Sequence, residues 1–226
     1  MIAKGSNGLK AYVGSTEVSK MYKGDVLVYS STPPSLYDAE VEWLASEQDA
    51  WINTDINGQN SNLSFELEVM VEPTSYPCYA FGNYQSSSRR GTVLVLNSSA
   101  KATARVSASM ASITGNQFDF SEGVRHQMTI TRASTTVDGV SHTNSTSNAS
   151  SNQYPTIALF KGNTRTAMNA GKVTIYWFKI YDSGTLVRDY IPVRKGTVGY
   201  MYDKVSKQLF GNAAESGAFV LGADVV

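Results

Sequence analysis

The chain has 226 residues, among them 19 Lys or Arg and 19 Asp or Glu, so its formal net charge at pH 7 is zero. This length suffices for one large β-sandwich or two modest domains, and the balanced charge gives no electrostatic footprint for nucleic acid. Cys78 is the only cysteine, which excludes an intrachain disulfide. The chain has no apolar run of the roughly 20 residues that a membrane-spanning helix needs, and its first residues lack the apolar stretch of a secretory signal.

Residues 9–29 repeat at an offset of ten. Lys10–Gly14 aligns with Lys20–Gly24, which predicts two copies of a strand, a Gly turn and a second strand. Two strand pairs bury too little apolar surface to be stable alone, so they need a partner surface. One alternative is that this surface is the following domain. The second alternative is that it belongs to another copy of the chain or to a larger assembly. The second alternative makes residues 1–30 a docking or oligomerisation unit that would use the apolar residues Tyr12, Val13, Tyr22, Val26, Val28 and Tyr29.

Residues 31–35 are expected to form a linker between two domains. Pro33 and Pro34 cannot donate to a strand ladder and favour an extended, semi-rigid spacer. The remainder, residues 36–226, is rich in Gly, Ser, Thr and Asn and shows no long helical periodicity, which favours an all-β head domain.

The stretch from Leu63 to Val71 alternates apolar and polar residues. Phe65, Leu67, Val69 and Val71 share one face of the predicted strand, and the other face carries Glu66, Glu68, Met70 and Glu72. Hydrolysis of a glycosidic bond with retention needs two carboxyl groups about 5–5.5 Å apart. Glu66 and Glu68 share a face, but Glu72 lies four residues beyond Glu68, too far along a strand. We interpret this face as a solvated strand surface and predict no enzyme.

Residues 76–91 predict a strand, a loop and a returning strand. Aromatic faces and Arg donors suit sugar rings and acidic glycans, so this loop is a candidate ligand site, the alternative being an ordinary exposed hairpin loop. The candidate glycan contacts are Tyr79, Tyr84, Arg89 and Arg90.

The second half of the chain predicts further hairpins. Asp138-Gly139 is a hairpin signature, and residues 141–153 form a Ser/Asn-rich stretch that predicts a mobile loop or an insertion over the sheet edge. His126 and His142 stand apart from each other and from ligand-spaced partners, so we predict no metal centre and no cofactor. An all-oxygen Ca²⁺ site at Asp55 or Asp138 stays open.

The C-terminal quarter has the strongest strand pattern. Val173–Tyr181 is β-branched and aromatic on both faces, which predicts a strand buried between two layers, with alternate residues on opposite faces. Asp182-Ser183-Gly184 predicts a turn, and Pro192 predicts that the returning strand ends at a sheet edge or corner. Tyr200–Tyr202 is expected to pair with Gln208–Phe210 in a second hairpin.

This quarter carries a family resemblance. The run KIYDSGTLVRDYIPVRKGTVGYMYDKVSKQLFGNA resembles the closing segment of LamG-like, concanavalin A-type jelly-roll domains of phage and prophage proteins. The segments EWLAS and WINTDI resemble that family's opening strand, an aromatic-Ile-Asp-Thr-Gly pattern in which Asp55 stands at the Gly position. The Val137-Asp138-Gly139 turn also matches the pattern. The two ends bracket Leu36 to Gly222, and the repeat at residues 9–29 is similar to attachment segments of phage virion proteins.

The resemblance implies a concanavalin A-like (LamG-like) jelly-roll β-sandwich preceded by a small β-hairpin repeat unit. It also implies a non-enzymatic virion structural protein, such as a fibre, appendage or capsid decoration, that is assembled in the bacterial host cytoplasm. The expected partners are other copies of the chain, with a trimer favoured, capsid or tail proteins, and host surface glycans. The alternatives are a carbohydrate-binding lectin or adhesin and, more weakly, a glycoside hydrolase.

Overall fold

The computed structural model describes residues 35–47, 49–111, 115–163 and 171–225 in full, and the backbone of residues 2–5, 8–13, 16–18, 20–23 and 26–30. The chain divides into two compact units, residues 1–36 and residues 37–226. Four of the five residues of the expected linker, 31–34, lie outside the described residues, and Ser35 is exposed.

The N-terminal unit consists of short antiparallel strands. Its strands are β1 (Ile2–Gly5), β2 (Gly8–Val13), β3 (Thr16–Val18), β4 (Lys20–Lys23) and β5 (Val26–Ser30). β2 pairs with β3 and β4 pairs with β5, so each copy of the sequence repeat forms one strand pair. β1 adds a third strand to the first pair, against β2, which the sequence pattern did not predict.

The second unit, the head, is built from two antiparallel sheets. The smaller has the order β13-β12-β11-β10-β17-β8. Its strands are β8 (Ile52–Asn57), β10 (Cys78–Gly82), β11 (Arg90–Ser98), β12 (Lys101–Ser109), β13 (Phe118–Asp119) and β17 (Thr156–Leu159).

The larger sheet has the main order β16-β15-β14-β9-β18-β19-β20-β21. Three short strands also belong to it, because β6 pairs with β19, β7 pairs with β18, and β22 pairs with β7. Its strands are β6 (Ala39–Glu40), β7 (Leu44–Ser46), β9 (Leu63–Pro73), β14 (His126–Ile130), β15 (Ser134–Val137), β16 (Val140–Thr143), β18 (Gly171–Asp182), β19 (Thr185–Lys195), β20 (Val198–Asp203), β21 (Gln208–Phe210) and β22 (Val220–Leu221). The described residues contain no helix, and the chain is 57% strand.

One apolar core lies between the two sheets. The alternation predicted for β9 is confirmed, because Phe65, Leu67, Val69 and Val71 are fully buried. The Phe65 ring on the larger sheet lies 5.2 Å from the Phe81 ring on the smaller sheet, measured between centroids. The head is therefore all-β, with two facing antiparallel sheets consistent with a β-sandwich.

Three predicted turns are confirmed. Asp138 and Gly139, with φ of 48° and 87°, join β15 to β16, as a type I′ hairpin requires. Ser183 and Gly184 have positive φ in the same way between β18 and β19. The second C-terminal hairpin also forms, with Tyr202 opposite Leu209.

The strict alternation expected in β18 is wrong. Ile175 pairs with Val69 and Trp177 with Glu68, so Tyr176 is an extra residue in a β-bulge. Val173 and Ile175 face the core before the bulge, and Phe178 and Ile180 face it afterwards. The other face is buried at Thr174 but half-exposed from the bulge onward, at Tyr176, Trp177 and Lys179, so the strand is not buried between two layers along its length.

The expectation that the returning strand ends near Pro192, at a sheet edge or corner, is also wrong. β19 continues to Lys195 and pairs with β20 from Tyr190 to its end. On its other side, β19 pairs with β18 as far as Tyr190 and with β6 from Val193 onward. Pro192 lies where this neighbour changes, a position at which a missing N–H costs little.

The Ser/Asn-rich stretch 141–153 is anchored along both sheets. Asn144 and Asn152 are 4% and 5% exposed, and Asn144 accepts a hydrogen bond from Thr135 of β15 in the larger sheet. The Asn152 amide donates to the Asn83 carbonyl, and its backbone N–H donates to Gln59 Oε1 at 2.8 Å. The Ser147 carbonyl accepts from the backbone N–H of Ser109. These bonds favour the insertion over the sheet and count against a freely mobile loop.

The two ends of the head lie side by side. β22 pairs with β7, and the backbone N–H of Val225 donates to the Glu40 carbonyl at 2.9 Å. The Arg194 guanidinium binds both carboxylate oxygens of Asp224, at 2.7 and 2.6 Å.

Candidate functional site

Two neighbouring aromatic side chains lie on the outer face of the larger sheet. In a regular strand, consecutive residues point to opposite faces. The bulge in β18 removes this alternation for one step, so that Tyr176 and Trp177 both lie outside the core between buried Ile175 and Phe178. Bulges are common where a strand re-aims a side chain beside a functional site.

Glu68 holds these side chains in place. Its carboxylate accepts Arg125 Nε at 2.5 Å, Arg125 Nη2 at 2.7 Å and Trp177 Nε1 at 2.8 Å. The Arg125 guanidinium carbon lies 3.9 Å from the centroid of the Tyr176 ring. The hydrogen bond to Glu68 raises the pKa of Arg125 above its usual value. Trp177 is thus fixed by a charge-assisted network and has little rotamer freedom left to lose on binding.

A second acidic side chain lies along the same face. Glu66 accepts a hydrogen bond from the Tyr181 hydroxyl at 2.9 Å. Lys179, which is opposite Glu66 in the sheet, has its Nζ 5.5 Å from the centroid of the Trp177 ring. The outer face therefore combines an indole, carboxylates and an ammonium group within a few strand positions.

Two depressions flank Trp177, and we call them together the Trp177 groove. The first has a volume of about 420 Å³ and the second about 340 Å³, and Trp177 lines both. The first is lined by Glu40, Val41, Glu42, Arg125, Tyr176, Trp177, Lys179, Asp189, Ile191, Pro192, Lys204 and Val225. The second is lined by Glu66, Gln127, Met128, Thr129, Thr136, Gly139 and Trp177.

A fork in the sheet forms the first depression. β18 pairs with β7 up to Ile175 and with β19 only from Phe178, so its neighbour changes at the bulge. β19 makes the complementary change at Pro192, where β6 takes over from β18. The segment between β6 and β7 enters the fork and supplies Val41 and Glu42 to the lining.

The residues of the predicted glycan loop lie on the other sheet. Tyr79 is within β10, and its ring centroid is 5.7 Å from that of Tyr84. Both rings are half-buried and pack against Val93, Val95 and Met110. Burial and the neighbouring Tyr84 raise the pKa of Tyr79 to about 12. The structure thus brings the two rings together, but in a packed cluster.

The two arginines of the same prediction lie beside the anchored stretch 141–153. Arg89 Nη1 donates to the Ser151 carbonyl at 3.3 Å, and the backbone N–H of Arg90 donates to the Ser150 carbonyl at 2.8 Å. Both side chains are half-buried. Ligand binding by these four residues stays a prediction.

The six predicted docking residues all lie on strands of the N-terminal unit. Tyr12 and Val13 belong to β2, Tyr22 to β4, and the other three to β5. Their side chains lie outside the described part of the structure. Docking through them therefore stays a prediction.

His126 has a partner that the sequence pattern did not reveal. Its Nδ1 lies 2.6 Å from Asp138 Oδ2, and its Nε2 lies 3.0 Å from the Ser121 carbonyl oxygen. Burial alone would raise the pKa of Asp138, but hydrogen bonds from His126 and from the Gln127 N–H lower it. Within the described ranges no three His, Cys, Asp or Glu side chains form a group that could hold a metal ion.

The lone cysteine is part of the core. Cys78 is fully buried, and burial is the main cause that raises the pKa of its thiol to about 12. A thiol of this kind is a poor nucleophile at neutral pH.

Sequence reasoning missed the Trp177 groove. The available signal was the adjacent pair Tyr176-Trp177 inside a strand, but a bulge cannot be told from regular alternation when both faces are apolar. Arg125 and Glu68 are 57 residues apart, so their contact was visible only in the fold.

Comparison with known proteins gives no match. No protein-family model, no curated protein and no solved structure is significantly similar to the chain. None of the described residues belongs to a helix long and apolar enough to cross a membrane.

Proposed function

We propose that this protein is a non-enzymatic bacteriophage virion protein, a fibre, appendage or capsid decoration, whose head binds host glycans. The N-terminal unit docks on a capsid or tail protein or joins copies of the chain, with a trimer favoured, and the head projects. The division into two compact units supports this arrangement, because the described residues of the smaller unit form only a three-stranded and a two-stranded sheet, and a two-stranded sheet is marginally stable without a partner surface.

Within this proposal the head is a concanavalin A-like, LamG-like jelly roll. The two facing antiparallel sheets are compatible with that architecture. Asp55 adds support, since its φ of 58° is the left-handed conformation that suits the glycine expected there by resemblance. Asp is one of the few other residues that tolerate it.

The observation that carries glycan binding is the bulge that presents Tyr176 and Trp177 on the same outer face beside an open groove. Aromatic rings pack against the apolar face of a sugar, while carboxylates and ammonium groups bind its hydroxyls. Glu66, Asp189 and Lys179 surround Trp177 with such groups. A lectin or adhesin outside a virion is the second candidate, and the same groove favours it.

The contacts of Glu68 support binding without hydrolysis. A retaining glycosidase needs two carboxyl groups about 5–5.5 Å apart that can both act on the bond. Glu68 accepts hydrogen bonds from Arg125 and Trp177 through both of its carboxylate oxygens, so both oxygens are already engaged by the protein. Glu72 is engaged with Lys172, whose Nζ lies 3.4 Å from Glu72 Oε2. These contacts make the hydrolase the weakest candidate.

Light-scattering mass tests the assembly part of the proposal. We expect the full chain to be a stable oligomer and a truncated chain starting at Ser35 to be a monomer. An oligomer in both cases would assign assembly to the head, and two monomers would remove self-assembly from the proposal and favour the lectin.

A glycan array tests the binding part. We expect the full chain to bind saccharides, and we expect Trp177→Ala to lose that binding. Trp51→Ala is the matched control, because Trp51 is also half-buried but lies outside the groove, beside Lys161. Equal loss in both variants, with both folded, would contradict a site at Trp177.

A further inference from the structure

We propose that the Trp177 groove selects a neutral hexose oligosaccharide of several units, which lies across the strands of the larger sheet. This inference rests on the proposed glycan binding and adds the length, direction and charge of the ligand. It is carried by two independent observations, the presence of Trp177 in the lining of both depressions and the charge of that lining.

The length follows from the position of Trp177 between the depressions. The second depression reaches β15 through Thr136, and the first reaches β19 through Asp189. The strand order between them is β15-β14-β9-β18-β19. Neighbouring strands are about 4.8 Å apart, so four spacings give a path of roughly 19 Å. A path of that length is long enough for several sugar units and too long for one.

The orientation of the indole suits a sugar stacked on Trp177, one strand spacing from the β19 end of this path. Trp177 Nε1 is bound to Glu68, so the polar edge of the ring is already satisfied by the protein. The Arg125 guanidinium covers one face of the Tyr176 ring at 3.9 Å, whereas Lys179 Nζ lies farther from the Trp177 ring, at 5.5 Å, so Trp177 is the less covered stacking surface. A ligand in both depressions must therefore cross Trp177.

The charge of the lining selects against acidic glycans. The first depression contains three acidic residues, Glu40, Glu42 and Asp189, and three basic residues, Arg125, Lys179 and Lys204. Arg125 is neutralised by its bidentate pair with Glu68. Glu66 is the charged residue of the second depression. A uronate or sialate would meet a net negative surface, whereas the hydroxyls of a neutral sugar can both donate to carboxylates and accept from lysines.

The test is calorimetric titration of the full chain with neutral glucose oligomers of two to six units in α-1,4, β-1,4 and β-1,3 linkage, N-acetylchitohexaose and hexagalacturonate, at low and high salt. At least one neutral series should bind more tightly as its length increases. Binding should change little with salt, because the recognition involves no net ion pairing. Hexagalacturonate should not bind.

Three variants map the binding. Trp177→Ala should lower the affinity for the hexasaccharide at least about tenfold, or roughly 1.4 kcal/mol. Trp177→Phe should retain part of the stacking and therefore part of the affinity. Trp51→Ala should leave the affinity unchanged. Thr129→Phe fills the second depression from an exposed position on β14 without touching Trp177. It should reduce the affinity of the hexamer to that of a short oligomer and leave the short oligomer unchanged.

The outcomes separate this inference from the broader proposal. Binding of hexagalacturonate alone, equal affinity for dimer and hexamer, or loss of binding in Tyr79→Ala but not in Trp177→Ala would overturn the inference and leave glycan binding standing. Absence of binding to every saccharide on both the panel and the array would overturn glycan binding as well. Circular dichroism of each variant confirms that it is folded.

Discussion

At the scale of single residues, Asp203 is the most constrained carboxylate of the head. It is fully buried at the end of β20. Its Oδ1 accepts the N–H groups of Asp189 and Val205 at 2.8 and 3.0 Å, and its Oδ2 accepts that of Ser206 at 3.1 Å. One side chain thus ties the β20–β21 turn to β19.

Replacing Asp203 should destabilise the head. In Asp203→Asn an NH₂ group replaces one acceptor and faces N–H donors, so at least one buried donor loses its partner. We expect the free energy of unfolding to fall by about 2–3 kcal/mol. Asp182→Asn, in the β18–β19 turn, is the control and should change stability little. Urea denaturation at pH 7 measures both, and equal midpoints would contradict the prediction.

Asp203 should also contribute to acid sensitivity. Burial alone would raise the pKa of its carboxyl, but hydrogen bonds from the N–H groups of Asp189, Val205 and Ser206 hold it below the usual value. Because the folded pKa lies below the unfolded value of about 3.9, this stabilisation is present above that pH and is lost as the pH falls through the folded pKa. The loss of stability below about pH 4 should be shallower in Asp203→Asn than in the unmodified chain. Parallel curves would show that other carboxylates dominate.

At the scale of elements, we expect the bulge in β18 to contribute to the binding site more than to the stability of the fold. Tyr176 is the inserted residue, so its deletion leaves Ile175 facing the core and Trp177 opposite Glu68, with a regular ladder. We expect the Tyr176 deletion to cost about 1 kcal/mol, mainly through the lost contact with Arg125.

Deletion of Thr174 is the matched control. There is no bulge at that position, so the deletion must turn either Val173 or Ile175, both fully buried, to the outer face. Removing one such side chain from the core leaves a cavity, and its new position is crowded because Thr174 is itself 1% exposed, so we expect a loss of about 2–3 kcal/mol. Thermal unfolding of both variants gives the comparison, and a larger loss for the Tyr176 deletion would contradict the assignment of the inserted residue.

The same strand shows what the sequence could and could not predict. Composition and turn residues were enough for the all-β class, the hairpin at Asp138-Gly139 and the alternation of β9, because these depend on local chemistry. The bulge depends on how β18 fits β7, β9 and β19 together, and no local pattern encodes that. The pairs Glu68–Arg125 and His126–Asp138 join different strands, so they too required the fold.

At the scale of the whole molecule, the head has an extensive core of its own. Among the side chains that the structure describes, those of the core between its sheets belong to the range from Leu44 to Leu221. The truncated chain starting at Ser35 removes none of them. We therefore expect its thermal midpoint to equal that of the head in the full chain, measured by calorimetry. A lower midpoint would show that the N-terminal unit packs on the head, the alternative that the sequence left open.

Because the two ends of the head are adjacent, the head is suited to circular permutation. The backbone of Val225 bonds to Glu40, and Arg194 ties Asp224 to the same edge of the sheet. A short linker from Val225 to Tyr37 would close the head into a ring, and the exposed Ser183-Gly184 turn offers a place to open it again. Such a circular permutant would start and end next to the Tyr181 end of β18, so that cargo fused there would be carried on a different edge of the head.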